Sequence, residues 1–172
     1  MKTKLLLVYL FCFGILIAAL VYPVLHEIGH MIAILLLGME VKEITLLPVP
    51  SILCKINSID PYGLLIIAIS GNIFPYLVIV KVRFKSFWFW YMSYLIKGIV
   101  LFSMLLTIIS ISSYPYFYIS EDDITNVIIQ YPFLSWVIIP YIICSFYLLK
   151  QVKQEQLFER CYQYIIYNEM SE

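Results

Sequence analysis

The sequence predicts an all-α polytopic membrane protein with about four transmembrane helices, the first long and kinked, and a short β hairpin or strand region after the first. Three observations predict this fold class. Hydrophobic residues make up 63% of the 172 residues, charged residues only 13%, and the mean hydropathy is +0.93, values outside the range of soluble domains. The apolar residues form stretches that can each span about 30 Å of hydrocarbon. One intervening segment is instead rich in prolines and β-branched residues.

The first apolar stretch, residues 5–37, is too long for one straight membrane span. Its length of about 33 residues corresponds to roughly 50 Å of helix. Pro23 interrupts the stretch, so we expect either one kinked helix or a tight helical pair. Gly38 follows where a glycine is typical of a helix C-terminus.

The remaining elements follow from hydropathy and turn residues. Residues 39–60 alternate in character and contain two prolines, which favours a short β hairpin or an edge strand. Further spans are predicted over 62–80, 87–109 and 128–149. Residues 1–150 are thus expected to form a single transmembrane domain, and 151–172 a polar C-terminal tail. Lys97, inside the third span, is expected to snorkel or to pair with a carboxylate or a helix terminus.

Charge placement favours a single first helix. Basic residues flank the spans near the N-terminus, at 81–85 and at 150–153, and the positive-inside rule places such flanks in the cytoplasm. Only an odd number of crossings before residue 60 satisfies all three flanks. The connections 39–60 and 111–127 then lie together on the opposite side of the membrane.

Composition also excludes some functions. The formal net charge is zero and the basic residues are scattered rather than striped, so we expect no nucleic-acid partner. The four cysteines lie far apart in the sequence and show no Cys-x-x-Cys spacing. They therefore indicate neither a disulfide framework nor a cysteine-based zinc site.

The motif His-Glu-Ile-Gly-His at residues 26–30 contains both histidines of the chain. On a helix, His26 and His30 share one face, so their imidazoles can bind one metal ion while Glu27 stands beside them. The expected metal is zinc. Three ionisable residues within a membrane span are costly, at about 2.5 to 3.5 kcal/mol for a central charge, and a bound metal would compensate. The alternative is a polar cluster packed between helices, or a site that has lost its metal.

A third zinc ligand has to be a carboxylate unless a cysteine or water serves. Catalytic zinc takes three protein ligands and a water, and no third histidine exists. Among the acids, Asp60 and the Glu-Asp-Asp run at 121–123 are placed to reach the motif, and the run is the better source. Asp123 is the first choice and Asp122 nearly equal. The competing interpretation of the run is an acidic cap at a helix N-terminus.

With zinc held by other residues, Glu27 is free to act as the general base. Zinc lowers the pKa of a bound water toward about 7. Glu27 then accepts the proton as water attacks a peptide carbonyl and returns it to the leaving amine. The predicted reaction is peptide hydrolysis without a covalent intermediate.

These residues resemble the site-two-protease family of intramembrane zinc metalloproteases. The motif at 26–30 followed by Gly38 is similar to the family's zinc-binding helix, and 39–60 is similar to the short β region after it, which helps to present an extended substrate. The Ser-Gly-Asn segment at 70–72 resembles a small-Gly-Pro segment of the next helix, although Asn72 stands where proline is usual.

The resemblance implies roles for His26, Glu27 and His30 only. The family's third ligand comes from an Asn-Pro-Asp-Gly or Leu-Asp-Gly motif, and neither occurs in this sequence. The nearest counterpart is Asp122 or Asp123. The resemblance also implies a site toward the cytoplasmic face, whereas the charge count places the site on the outer face.

We therefore expect a multi-pass protein of a prokaryotic cell membrane that cleaves a membrane-anchored protein or peptide in the lipid bilayer. One alternative is a catalytically inactive membrane bundle of the same fold that binds a partner helix. Another is a small metal transporter, which the scarcity of further intramembrane polar residues disfavours.

Overall fold

The structure is a computed structural model that describes residues 2–45, 51–54, 60–80, 85–114 and 123–170. Within these residues the elements follow one another in this order: α1 (Lys2–Leu16), a π-helical turn (Ile17–Val21), α2 (Tyr22–Leu36), β1 (Val41–Thr45), β2 (Ser51–Cys54), α3 (Pro61–Val80), α4 (Phe87–Ser113), α5 (Asp123–Gln130), a 3₁₀ segment (Pro132–Val137), α6 (Ile138–Gln154) and α7 (Leu157–Met170).

The first stretch forms one long helix, with its irregularity in the turn before Pro23. Proline has no N–H to donate to the carbonyl four residues back, so the α-helical ladder is broken there. The preceding turn widens instead, and the Tyr22 N–H donates to the Ile17 carbonyl, five residues away. The prediction of a single long helix, rather than a tight pair, is confirmed.

The C-terminus of α2 is closed at Gly38, which adopts φ +72°. Its N–H donates to the Leu35 carbonyl, and the Met39 N–H donates to the Ile34 carbonyl. This is the Schellman arrangement, which places glycine in the left-handed conformation just after the helix. It turns the chain directly into the hairpin.

The predicted β region is an antiparallel two-stranded sheet. Its register pairs Val41 with Cys54 and Thr45 with Ser51, with an irregularity between Val41 and Glu43. Residues of β2 contact α2. The hairpin therefore lies against the helix that carries the His-Glu-Ile-Gly-His motif.

The second and third spans lie close to their predicted bounds. Asp60 caps α3, because its Oδ1 accepts a hydrogen bond from the Gly63 N–H at 2.6 Å. This role accounts for Asp60, which the sequence allowed as a metal ligand. Helix α4 continues to Ser113, beyond the predicted end at 109.

The predicted start of the last span at residue 128 is wrong. Residues 128–130 belong to the short helix α5, and Tyr131 leaves the helical region with φ −131° and ψ 76°. The residue before a proline is pushed out of the α conformation, so Pro132 separates α5 from the span that follows. Hydropathy alone did not reveal this break.

Residues 151–170, predicted as a polar tail, are helical apart from the turn at 155–156. Tyr164 stacks on Phe87 with ring centroids 3.7 Å apart, and the Arg160 guanidinium lies over the Trp90 ring at 5.0 Å. The buried Lys97 ammonium pairs with Glu155, as expected for a lysine inside a span.

The contacts between α4 and the C-terminal residues show how the two segments run. From Phe87 through Trp90 to Lys97 the partners are Tyr164, Arg160 and Glu155. The residue numbers of the partners fall as those of α4 rise, so α7 runs antiparallel to α4. Lys150 and Lys153, taken from the sequence as a flank after the last span, lie near the end of α6, and both are exposed.

Four helical segments of the described chain are long and apolar enough to cross a membrane: Val8–Leu36, Pro61–Ile79, Phe87–Ser113 and Pro132–Tyr167. A shared core joins them through buried side chains such as Leu65, Val100 and Ile124. Large apolar side chains such as Phe102 and Phe146 remain exposed on the outside, as a lipid-facing surface requires. The predicted fold class is confirmed.

Candidate metal centre

The two histidines of α2 converge as their spacing predicts. Side chains four residues apart on a helix lie one above the other, and the Nε2 atoms of His26 and His30 are 3.0 Å apart. Their ring planes are nearly perpendicular, at 84°. The two nitrogens therefore point at a common position from different directions.

The backbone of α3 orients His30. Its Nδ1 lies 2.7 Å from the Ile67 carbonyl oxygen, and the Ser70 hydroxyl donates to the same carbonyl at 2.5 Å. A carbonyl can only accept, so Nδ1 carries the proton and Nε2 presents its lone pair. Metal-binding histidines are commonly fixed in this way by a hydrogen bond on the other ring nitrogen.

Asp123 brings a carboxylate to the histidines from the start of α5. Its Oδ2 lies 3.1 Å from the Nε2 of His30 and 3.8 Å from the Nε2 of His26. Asp122, the other predicted ligand, lies outside the described residues.

The spacing of these three atoms fits a zinc ion. Tetrahedral ligands with bonds of about 2.0–2.1 Å are separated by about 3.3–3.4 Å, and the three observed separations run from 3.0 to 3.8 Å. The donor set fits as well, since the Nε2 of His30 and the Oδ2 of Asp123 are both acceptors. Two acceptors at 3.1 Å repel unless a proton or a metal ion lies between or beside them.

Glu27 lies next to this group. The ligand atoms of His26, Glu27 and His30 all lie within 4.8 Å of one another, so these residues could hold a metal ion. Glu27 also lines the groove in front of the site. The predicted neighbourhood of His26, Glu27, His30 and Asp123 is therefore present in the structure.

Gly71 has a role that sequence reasoning did not assign. A Cβ atom at position 71 would lie 2.5 Å from the Nε2 of His30 and 2.6 Å from the Cε1 of His26. A Cβ atom on Gly29 would overlap the Ser70 carbonyl oxygen. The two glycines thus let α2 and α3 approach closely, and Gly71 leaves space where a metal would lie. The small Ser-Gly-Asn segment within an apolar span was the available signal.

The buried Asn72 joins three helices behind the site. Its Oδ1 accepts hydrogen bonds from the Tyr22 hydroxyl at 2.9 Å and the Ser103 hydroxyl at 3.1 Å. Tyr22 lies one turn before His26, and their rings are 5.9 Å apart. This network positions α2 relative to α3 and α4.

A groove of about 440 Å³ lies in front of the candidate site. Its polar lining includes Glu27, His30 and Asp123, and β2 contributes part of one wall. The lining residues are Glu27, His30, Ile34, Ser51, Ile52, Leu64, Ile67, Ala68, Asp123, Asn126 and Val127. The groove thus connects the histidine–carboxylate cluster with the hairpin.

Comparisons of this chain with family models, curated proteins and solved structures gave no match. The fold and the site define the class by themselves: a helical protein with four described segments long and apolar enough to cross a membrane, and a His-Glu-x-x-His cluster on the first. The resemblance to the site-two-protease family therefore rests on the sequence alone, at residues 26–30 with Gly38, at 39–60 and at 70–72.

Proposed function

We propose that this chain is a zinc metalloprotease of the site-two-protease type, embedded as a multi-pass protein in a prokaryotic cell membrane. It hydrolyses peptide bonds of membrane-anchored substrates in or near the bilayer. The observation that carries the proposal is the convergence of three donor atoms, from His26, His30 and Asp123, at separations of 3.0 to 3.8 Å. Glu27 beside them supplies the base that this chemistry needs.

Each residue of the cluster has a distinct role. His26, His30 and Asp123 hold the zinc, which when bound supplies an acidified water and polarises the scissile carbonyl. Glu27 accepts a proton from the attacking water and delivers it to the leaving amine. The Ile67 carbonyl keeps the proton of His30 on Nδ1, so that Nε2 stays available as a ligand.

The substrate enters the groove in an extended conformation. Ser51 and Ile52 of β2 line the groove, and among the described residues β1 is the strand that pairs with β2, along one edge. An extended segment can pair with the other edge, so cleavage requires local unwinding of a helical substrate.

The position of the cluster along α2 agrees with cleavage near a membrane surface. His30 precedes the helix end at Leu36 by about 9 Å, at 1.5 Å per residue. The hairpin follows immediately. Water therefore has a short path to the site from the hairpin side, and helix-breaking residues near the end of a substrate span favour cleavage.

Zinc stoichiometry of the detergent-purified protein is the test. We expect about one zinc per chain in the wild type, with loss of zinc in His26→Ala and Asp123→Ala because each removes one of three ligands. Glu27→Gln should retain zinc and lose cleavage of membrane substrates in the native host. A metal-replete wild type without zinc would instead favour the inactive bundle that binds a partner helix. Zinc loss in Glu27→Gln would make Glu27 a ligand.

A further inference from the structure

The groove has two chemically different ends. The catalytic residues occupy one end, while its other side chains include the aliphatic residues Ile34, Leu64, Ile67, Ala68 and Val127. The described lining contains no charged residue other than Glu27 and Asp123. An apolar wall beside a reaction centre is the usual basis for selecting a substrate side chain.

The aliphatic end follows directly from the helices that hold the site. Ile34 lies one turn after His30 on α2, and Val127 lies one turn after Asp123 on α5. Residues four apart share a helix face, with Cβ atoms about 5–6 Å apart. Each of these ligand-bearing helices therefore continues past its ligand into an aliphatic wall.

Helix α3 supplies the third wall. Leu64, Ile67 and Ala68 have the i, i+3, i+4 spacing of one helix face, and all three line the groove. The Ile67 carbonyl accepts the hydrogen bond from His30. The aliphatic face is thus held next to the imidazole, beside the position where a scissile bond would lie.

We propose that this end of the groove is a subsite for one aliphatic side chain adjacent to the scissile bond. This inference rests on the proposed protease function and adds which residue such a substrate carries there. A charged side chain would leave water without gaining a partner from these walls, which is costly.

Peptide hydroxamates test the subsite without a known substrate, because the hydroxamate group binds zinc. We would measure the Kd of four such peptides that differ only in an alanine, leucine, phenylalanine or aspartate side chain. The protein is the full chain, purified and zinc-loaded, with zinc content measured in parallel. We expect the leucine compound to bind at least about tenfold more tightly than the aspartate compound, because an apolar pocket discriminates even a single methylene by about 10- to 200-fold.

Variants locate the subsite in the structure. Leu64→Ala enlarges the α3 wall, so the phenylalanine compound should gain at least about tenfold relative to the leucine compound. Leu77→Ala is the matched control, the same change on the same helix at an exposed position, and should leave the ranking unchanged. Val127→Ala enlarges the wall from α5 and should shift the ranking in the same direction, even if Leu64→Ala does not fold.

The outcomes separate the two proposals. Equal affinity for the leucine and aspartate compounds, or an unchanged ranking in folded, zinc-bound Leu64→Ala and Val127→Ala, would overturn the subsite while leaving the zinc site intact. If the wild type holds no zinc and therefore binds none of the hydroxamates, the proposed function is overturned, and the subsite with it. The expected ranking together with one zinc per chain supports both.

Discussion

Single atoms decide the geometry of the candidate centre. The Nε2 atoms of His26 and His30 can lie 3.0 Å apart because one ring is held by a hydrogen bond and α3 carries no side chain at the position that faces both rings. The Ile67 carbonyl orients one ring. The missing side chain of Gly71 provides the space, since a Cβ there would overlap both imidazoles. A glycine can thus be as necessary to a metal site as a ligand.

Gly71→Ala should lower zinc occupancy while the protein remains folded. The added methyl group lies 2.5 Å from the Nε2 of His30, so one imidazole has to turn away from the common position. We expect zinc affinity to fall by about 10- to 100-fold, as for other changes that disturb ligand orientation. The measurement is zinc content at a series of chelator concentrations.

Gly98→Ala provides the matched control for this prediction. Position 98 lies in α4, and a Cβ there meets nothing within 4 Å. Zinc affinity should therefore stay at the wild-type value. Equal zinc affinity in Gly71→Ala and Gly98→Ala would show that the metal, if bound, does not lie where the two Nε2 atoms point.

At the scale of elements, helix pairs are fixed by polar contacts as well as by apolar packing. Asn72 links α3 to α2 and α4, and the Lys97–Glu155 pair links α4 to the end of α6. In an apolar environment such groups have few alternative partners, so they specify which helices meet. A buried lysine requires an acidic partner. Glu155, at the end of α6, lies beside Lys97 because α6 and α7 run antiparallel to α4.

Breaking the Lys97–Glu155 pair from one side should be strongly destabilising. Both side chains are largely buried, so Lys97→Met leaves an uncompensated carboxylate, and we expect a loss of about 3–5 kcal/mol in the free energy of unfolding. The double variant Lys97→Met with Glu155→Met removes both charges and should recover most of that loss. Reversible unfolding in mixed detergent micelles measures both.

The contrary result is also informative. If Lys97→Met were as stable as wild type, the ammonium would not be the buried partner of Glu155. The exposed Lys153 in α6 serves as the control position, because Lys153→Met removes a charge that solvent or headgroups can reach. That change should alter the free energy of unfolding by less than about 1 kcal/mol.

Across the whole molecule, features encoded by neighbouring residues were predictable and those created by packing were not. The four spans follow from local hydropathy, and the convergence of His26 and His30 follows from a spacing of four residues. The approach of Asp123 depends on how α5 folds back, which the sequence could only narrow to a few acids. Gly71 acquires its role only when α2 and α3 meet.

The errors have the same cause. Residues 128–130 continue the hydropathy of the last span, but the break at Pro132 is a backbone effect that composition does not show. The helix α7 has a polar sequence, and its order comes from contacts such as Tyr164 on Phe87.

The fold predicts which ends of the helices lie on the same side of a membrane. The hairpin and α5 line one groove, so Ser51 and the exposed Ser112 at the end of α4 should face the same side. The start of α4 and the end of α7 lie at the opposite end of the bundle, since Phe87 stacks on Tyr164. Exposed Lys85 and Tyr167 should therefore share the other side.

Single cysteines test this arrangement once the four native cysteines are replaced by serine. In intact cells, a membrane-impermeant maleimide should give the same result for cysteines at positions 51 and 112. Cysteines at 85 and 167 should also give the same result as each other, and it should be the opposite of the result for the first pair. The basic residues at 81–85 place the second pair in the cytoplasm. Modification of 112 and 85 from one side would contradict a membrane-spanning α4, because 27 helical residues extend about 40 Å and exceed the hydrocarbon thickness.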